Sequence, residues 1–262
     1  SLSAQSSNVT VTLTDTDTDN LLAPTDTVTI TANFSEVMTA TPTISITGVV
    51  TNVAMTIFSG TVSFTASDIA TSADGAGSVY AADMDGDGDM DVVSASVLDD
   101  TIAWYENNNG DGSSWTATDI VNKFNQGADS ARSVYAADMD GDGDMDIVSA
   151  SCLDDTIAWY ENNNGDGSSW TAADIVTDAD CATFVFAADM DGDGEMDIVS
   201  SSAYDDTIAW YKNNGAADPT WTNVVIAESA DGASSVYVAD MDGDGDLDIV
   251  SSSGVDDTIA WY

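Results

Sequence analysis

The chain has 262 residues, 47 of them acidic and three basic, no histidine, and a formal net charge of −44. Three basic residues are too few to form a basic surface for nucleic acid or anionic membrane. The lack of histidine excludes Ser-His-Asp catalysis and histidine-bound zinc. Since 43% of the residues are hydrophobic, the chain is expected to fold, and its natural partners are cations.

Residues 1–61 are rich in threonine and alternate apolar and polar side chains at 9–13, 27–31 and 43–46, a pattern typical of half-buried β-strands. The stretch 26–48 contains Phe34-Ser35-Glu36 and Pro42-Thr43-Ile44, and it resembles the front half of a bacterial immunoglobulin-like repeat. The resemblance implies an incomplete Ig-like β-sandwich segment over residues 1–61.

The remainder, residues 62–262, is a fourfold repeat. The first aspartates of four acidic loops, Asp83, Asp138, Asp189 and Asp240, are separated by 55, 51 and 51 residues. Each unit has short β-prone runs bounded by turn residues, which predicts an all-β fold of four-stranded, propeller-type blades. Small residues fill the first two strands and aromatic residues the outer ones. This taper fits blades around an axis, and it fits a stacked solenoid nearly as well.

The acidic loop has nine residues, with carboxylates at positions one, three, five and nine and glycines at positions four and six. A tight turn lets these carboxylates converge on one hard cation, with position seven offering its main-chain carbonyl. Oxygen donors favour Ca²⁺, about four ions in all, with Mn²⁺ and Mg²⁺ fitting less well. The predicted ligands are Asp83, Asp85, Asp87, Asp89 and Asp91; Asp138, Asp140, Asp142, Asp144 and Asp146; Asp189, Asp191, Asp193, Glu195 and Asp197; and Asp240, Asp242, Asp244, Asp246 and Asp248.

A simpler interpretation is that Asp-Gly loops in so acidic a chain are ordinary solvated hairpin turns. Four loops in register, with every ligand position filled, favour the metal interpretation. The loop differs from an EF-hand, because serine (Ser94 in the first unit) replaces the glutamate at position twelve and strands flank the loop.

These residues resemble the FG-GAP or VCBS repeats of integrin-like β-propellers over about residues 62–262. The similarity rests on the Asp-x-Asp-Gly-Asp-Gly-x-x-Asp loop and on the Asp-Asp-Thr-Ile-Ala-Trp-Tyr-Glu-Asn-Asn stretch at 99–108. It implies calcium held at the first inter-strand loop of each blade, in a secreted or cell-surface protein that serves in adhesion or accompanies another domain. Propellers of this family usually have seven blades, whereas this sequence has four units.

The fourth unit stops in its third strand, at Trp261-Tyr262, whereas residues 62–69 align with the fourth strand at 169–175. Residues 62–69 are therefore expected either to close a small ring within one chain or to complete a blade in a neighbouring copy. A sequence simply cut at this point is the plain alternative.

The two cysteines, Cys152 and Cys181, permit one disulfide but no thiolate metal site, and a disulfide suits an extracellular protein. No apolar run is long enough to span a membrane.

The sequence thus favours an extracellular, calcium-binding structural or adhesion protein that forms homo-oligomers or homopolymers, assembled into fibres by strand exchange. The alternative is a glycan- or protein-binding module attached to a larger secreted enzyme or surface protein. An enzyme is not expected: of only five glutamates, Glu106 and Glu161 recur at the same place in the repeat, whereas catalytic residues usually break a repeat.

Overall fold

The computed structural model describes residues 10–14, 29–33, 65–122 and 128–262, and the chain divides into units 1–64 and 65–262. In the first unit, β1 (Thr10–Thr14) pairs antiparallel with β2 (Thr29–Asn33). Two of the three predicted N-terminal strands are thereby confirmed. The third, at 43–46, and the remainder of the Ig-like prediction lie outside the described residues. Across the described part of the chain, no helix is long and apolar enough to cross a membrane.

The second unit consists of four antiparallel sheets in which strands pair in chain order. We number these sheets blades 1 to 4. Blade 1 contains β3 (Ala76–Ala82), β4 (Asp91–Ser96), β5 (Thr101–Asn107) and β6 (Trp115–Val121); blade 2 contains β7 (Ala131–Ala137), β8 (Asp146–Ser151), β9 (Thr156–Asn162) and β10 (Trp170–Val176); blade 3 contains β11 (Ala182–Ala188), β12 (Asp197–Ser202), β13 (Thr207–Asn213) and β14 (Trp221–Ala227); blade 4 contains β15 (Ala233–Ala239), β16 (Asp248–Ser253) and β17 (Thr258–Trp261). This confirms the all-β prediction of repeated four-stranded units, with three strands described in the last.

Contacts between blades are concentrated at the first strand. Strand β7 contacts β3, β4 and β5 of the preceding blade, and β15 likewise contacts β11, β12 and β13. The blades therefore meet at their inner strands, as propeller blades do. The inner position explains the small residues of the second strands, since every residue of β8 and of β12 is buried.

The hydrophobic core lies between consecutive blades. Val93, Ile102 and Trp104 of blade 1 form one cluster with Ala131 and Val134 of blade 2. Equivalent residues of blades 2 and 3 form a second cluster, and those of blades 3 and 4 form a third. Each blade is consequently stabilised by its neighbours, because a single sheet cannot bury both of its faces.

A hydrogen bond repeats across each blade junction. The second aspartate of the Asp-Asp turn has a positive φ of 55 to 58° in all four blades, and in blades 1 to 3 its carboxylate accepts from a main-chain N–H of the next blade. A left-handed conformation is tolerated by aspartate better than by most residues. The aspartates are Asp100, Asp155, Asp206 and Asp257.

The junction of blades 2 and 3 also carries a covalent link. Cys152, after β8, forms a disulfide with Cys181, just before β11, and no described cysteine is free. The disulfide that the sequence permits is therefore present.

The segment predicted to supply the last strand is only partly described. Residues 65–69 are exposed and form no strand, and residues 62–64 lie outside the described part. The pairing of this segment with blade 4 stays a prediction.

Candidate metal centres

The acidic loop joins the first strand of each blade to the second, as predicted. Its fourth and sixth residues are glycines with positive φ, 72 to 79° at the fourth position and 95 to 100° at the sixth. Other residues are strained in this region. The glycines thus let the main chain curl around the first aspartate.

The first aspartate organises the curl. In blade 2 its two carboxylate oxygens accept from the N–H groups of Gly141 and Gly143, at 2.8 and 3.0 Å. In blade 1, Asp83 Oδ2 accepts from Gly88 at 2.9 Å, whereas Asp83 Oδ1 is buried with no hydrogen-bond partner. A buried carboxylate oxygen without a donor is unfavourable, and a bound cation would satisfy it.

The aspartates at loop positions three and five each accept a hydrogen bond within the loop. In blade 2, Asp140 Oδ1 accepts from the N–H of Asp142 at 3.2 Å, and Asp142 Oδ1 accepts from Asp144 at 2.9 Å. One oxygen of each carboxylate is thereby held, and the other stays available to a cation.

Three carboxylates of each loop offer oxygens that lie within 4.8 Å of one another. These groups are Asp83, Asp85 and Asp91; Asp138, Asp140 and Asp142; Asp189, Asp191 and Asp193; and Asp240, Asp242 and Asp248. The structure therefore brings together twelve of the twenty predicted ligands, three in every repeat. Their all-oxygen donor sets fit a hard cation such as Ca²⁺.

The aspartate at loop position nine has a role that the loop pattern did not reveal. Asp91 is buried, and it accepts hydrogen bonds from the N–H groups of Asn107 and Met84, at 2.8 and 3.2 Å, and from the Trp104 indole at 3.1 Å. Blades 2 and 3 repeat the two main-chain bonds. This carboxylate fastens the loop to the third strand.

The seventh residue directs its carboxylate away from the cluster. A Cβ built on Gly110, in the β5–β6 turn, would collide with the Asp89 carboxylate, and the same is true of Gly165 and Asp144 in blade 2. Glu195 lies against Gly215 in blade 3. The seventh side chain thus packs on the neighbouring turn, which leaves its main-chain carbonyl as the expected donor.

The clustered charges oppose ionisation. Burial, followed by the charges of neighbouring carboxylates, raises the pKa of Asp85 and of Asp140. Burial also raises the pKa of Asp146 to about 7, against the lowering effect of its N–H donors. A divalent cation would relieve this repulsion.

Blade 3 supplies its own cation. The Lys212 ammonium pairs with Asp191 and lies 3.2 Å from an oxygen of Asp193. Lys212 occupies the repeat position that holds Glu106 in blade 1 and Glu161 in blade 2. Aligning the repeats around this position would have revealed the exception, which the prediction of four equivalent sites passed over.

The four acidic loops lie in segments that match one known protein family. The model of the FG-GAP-like repeat matches residues 46–94, 92–149, 141–200 and 189–251. The chain belongs to the FG-GAP-like repeat family. The family match accounts for the four loops and confirms the resemblance drawn from the sequence.

Solved structures similar to the FG-GAP-like repeats include a lectin of Agrocybe aegerita, described as recognising non-reducing terminal N-acetylglucosamine. It is 23% identical with a TM-score of 0.46, and the alignment covers 65% of this chain and 45% of the lectin. The Vibrio cholerae biofilm matrix protein Bap1 is 24% identical with a TM-score of 0.44, and the alignment covers 70% of this chain and 26% of Bap1. This chain therefore spans less than half the length of either protein. A search of curated proteins found no match.

Proposed function

We propose that this protein is an extracellular, calcium-binding structural or adhesion protein without catalytic activity. The observation that supports the proposal is the recurrence, in every blade, of three carboxylates within 4.8 Å at the same loop. Calcium at these loops would stiffen each blade, since it binds the folded loop better than the unfolded chain. Per site, free Ca²⁺ at about 100 times its dissociation constant adds about 2.7 kcal/mol to the free energy of unfolding.

The decisive experiment is calorimetric titration of the chelator-treated protein with Ca²⁺, with thermal unfolding followed in the same samples. The test variant is Asp140→Asn, and the matched control is Asp218→Asn, which removes an exposed charge outside the loops. Because burial and neighbouring charges raise the pKa of Asp140, the test variant should not unfold earlier in chelator. It should lose one calcium site, whereas the control keeps all of them.

A protein that takes up no Ca²⁺ and whose melting temperature ignores the ion would refute the calcium assignment. Equal stabilisation by Mg²⁺ would contradict the choice of cation. If Asp140→Asn unfolds earlier in chelator and keeps every site, the carboxylate is structural and the assignment of ligands is wrong.

A glycan- or protein-binding module is the second candidate, and a row of exposed side chains favours it. Leu98, Leu153, Tyr204 and Val255 occupy the same turn between the second and third strands in each blade, and all four are exposed. Because the strands pair antiparallel, these turns and the acidic loops lie at opposite ends of the strands of each blade. Binding of the protein to immobilised glycans that is lost in Tyr204→Ala, with calcium binding unchanged, would support this function.

Self-association of copies belongs to the same proposal. The exchange of residues 62–69 between copies stays a prediction, and deleting residues 62–69 tests it by sedimentation. The deletion should abolish association if strand exchange is the mechanism.

A further inference from the structure

The turn between the second and third strands places an exposed apolar side chain at the same position of every blade. These side chains are 66 to 71% exposed, and they form the turn row: Leu98, Leu153, Tyr204 and Val255. Leu153 and Tyr204 belong to blades that pack on a neighbour at both sides, so their exposure comes from the turn itself. The residue differs between blades but stays apolar, whereas a turn that only meets solvent favours polar residues.

Each residue of the turn row is fixed beside an exposed aspartate. The N–H of Leu153 donates to the main-chain carbonyl of Asp129 at 3.0 Å, and the N–H of Tyr204 donates to that of Asp180 at the same distance. Blades 1 and 4 repeat this hydrogen bond. An apolar side chain and an exposed aspartate are therefore neighbours in every blade, and the four aspartates are Asp74, Asp129, Asp180 and Asp231.

The turn row is acidic along its whole length. Each apolar residue is followed by the two aspartates of the Asp-Asp turn, so each of the four blades contributes three carboxylates, twelve in all. In blades 1 to 3 the second aspartate accepts from the residue that follows the exposed aspartate of the next blade, so the acidic segments adjoin one another. Of the described basic residues, Arg132 is exposed in β7 and Lys212 is paired with an acidic loop. The row therefore carries a negative potential.

We propose that the turn row is a docking surface for a lysine- or arginine-rich segment of another protein. Lysine and arginine bury their aliphatic stems on apolar surface while the charged end stays in water or meets an anion. One such side chain can therefore cover Leu153 and pair with the carboxylate of Asp129. An arginine can also stack on the ring of Tyr204. The inference rests on the second candidate function, a binding module, and it assigns a basic polypeptide as the partner.

The composition of the turn row favours a polypeptide over a neutral glycan. A sugar ring packs best on a flat aromatic face, and three of the four residues are aliphatic. A neutral glycan would also leave the carboxylates without a counter-charge, whereas a basic segment is complementary to them. Tyr204 alone is a suitable stacking surface for a sugar.

The surface is held in shape before any partner binds. A Cβ on Gly232 would lie 2.5 Å from Val255 Cγ2, so this apolar side chain rests on the start of the first strand of its blade. Cys152, immediately before Leu153, is bonded to Cys181 of the next blade, which joins the two central blades of the row. A surface that is already ordered loses little conformational entropy on binding.

The test is fluorescence anisotropy with a labelled peptide of alternating lysine and serine, in saturating Ca²⁺. Salt at about 0.15 M screens charges beyond about 8 Å, which suppresses binding through net charge alone. The matched peptide replaces lysine with 2,4-diaminobutyrate, which carries the same charge on a shorter stem. The lysine peptide should bind at least about fivefold more tightly, because only its stems are long enough to cover the turn row.

Variants separate the apolar contribution from the charge. Leu153→Ser and Tyr204→Ser should each weaken binding of the lysine peptide about fivefold and leave the shorter peptide unaffected, because they remove apolar surface and no charge. Asp129→Asn should weaken both peptides about twofold. Val225→Ser is the matched control, since Val225 is 47% exposed in β14, outside the turn row, and this variant should bind like wild type. All four side chains are exposed, so every variant should keep the wild-type circular dichroism.

Equal affinity for the two peptides, or binding that survives both serine variants, would overturn the proposal, because the carboxylates would then attract any cation. A neutral glycan that binds through Tyr204 while the lysine peptide does not bind would also overturn it, although the protein would still be a binding module. Calcium titration of the same samples is independent of these results, so failure here is distinguishable from failure of the metal sites.

Discussion

The aspartate at position nine of each loop has a structural role that does not depend on a bound cation. Asp91 accepts three hydrogen bonds from buried donors on two segments of its blade, and its counterparts in blades 2 and 3 accept from the same main-chain positions. By contrast, Asp87 at position five is exposed, and the described hydrogen bond that it accepts comes from the N–H of Asp89. Asp91 thus has a structural role in addition to its place in the carboxylate cluster of blade 1, whereas Asp87 is not one of the three clustered residues and is held by a single hydrogen bond.

This division predicts different effects of removing each carboxylate. In chelator, Asp91→Ala should lower the free energy of unfolding by about 3–5 kcal/mol, because it leaves three buried donors without an acceptor. Asp87→Ala, the control, should lower it by less than about 1 kcal/mol. Urea unfolding measures both values, and an Asp91→Ala protein as stable as wild type in chelator would contradict the structural role.

The position of Lys212 predicts that the four sites differ in their affinity for Ca²⁺. Its ammonium already neutralises part of the blade 3 cluster, where blades 1 and 2 have a glutamate. Calcium must displace that ion pair, so blade 3 should bind Ca²⁺ more weakly than the other blades. Lys212→Glu should strengthen this site by about tenfold or more and destabilise the calcium-free protein.

Calorimetric titration resolves the Lys212 prediction, since wild type should show a weak class of one site that disappears in Lys212→Glu. The variant Lys212→Gln is the control for charge, because it removes the cation without adding an anion. Identical isotherms for all three proteins would show that the ion pair does not compete with calcium.

Among the elements, the second and third strands form the buried centre of blades 1 to 3. In blade 2, the Tyr160 hydroxyl lies 3.1 Å from the Ser149 hydroxyl, and burial raises the pKa of Tyr160 to about 12. Ser94 and Ser200 make the equivalent contact in blades 1 and 3. A pair of hydroxyls therefore links neighbouring strands inside the apolar centre.

Burial of this phenol predicts an alkaline loss of stability. The unfolded chain ionises its tyrosines near pH 10, whereas folded Tyr160 keeps its proton up to about pH 12. Its contribution is therefore intact below about pH 10 and is lost as the pH rises through about 12, a change of roughly 2–3 kcal/mol. Tyr160→Phe should make this decline shallower in urea unfolding at a series of pH values. An unchanged decline would contradict the prediction.

The repeat made the elements predictable, because four aligned copies reveal strand and turn positions that one copy would leave ambiguous. The strand order, the loop glycines and the clustering of carboxylates follow from local sequence. The role of Asp91 does not, because its donors belong to the third strand and meet the loop only after the sheet pairs. Likewise, the sequence around Ile259 is the same as that around Ile208. It therefore does not reveal that Ile259 is exposed whereas Ile208 is buried by a packed neighbour.

For the whole molecule, charge and packing act in opposite directions. Four bound Ca²⁺ ions would change the formal charge from −44 only to about −36, so most of the acid stays uncompensated. The cohesion that offsets this repulsion comes from the three inter-blade cores. Stability in such an array is a sum of nearest-neighbour contributions, and blades with one neighbour receive fewer of them.

This arrangement predicts a gradient of local stability that hydrogen exchange can measure. Amides of β8, β9 and β12, which have packed blades on both sides, should exchange more slowly than those of β3 and β17, whose outer faces are exposed. Uniform protection across the four blades in dilute solution would mean that the array opens as one cooperative unit, contrary to the nearest-neighbour account.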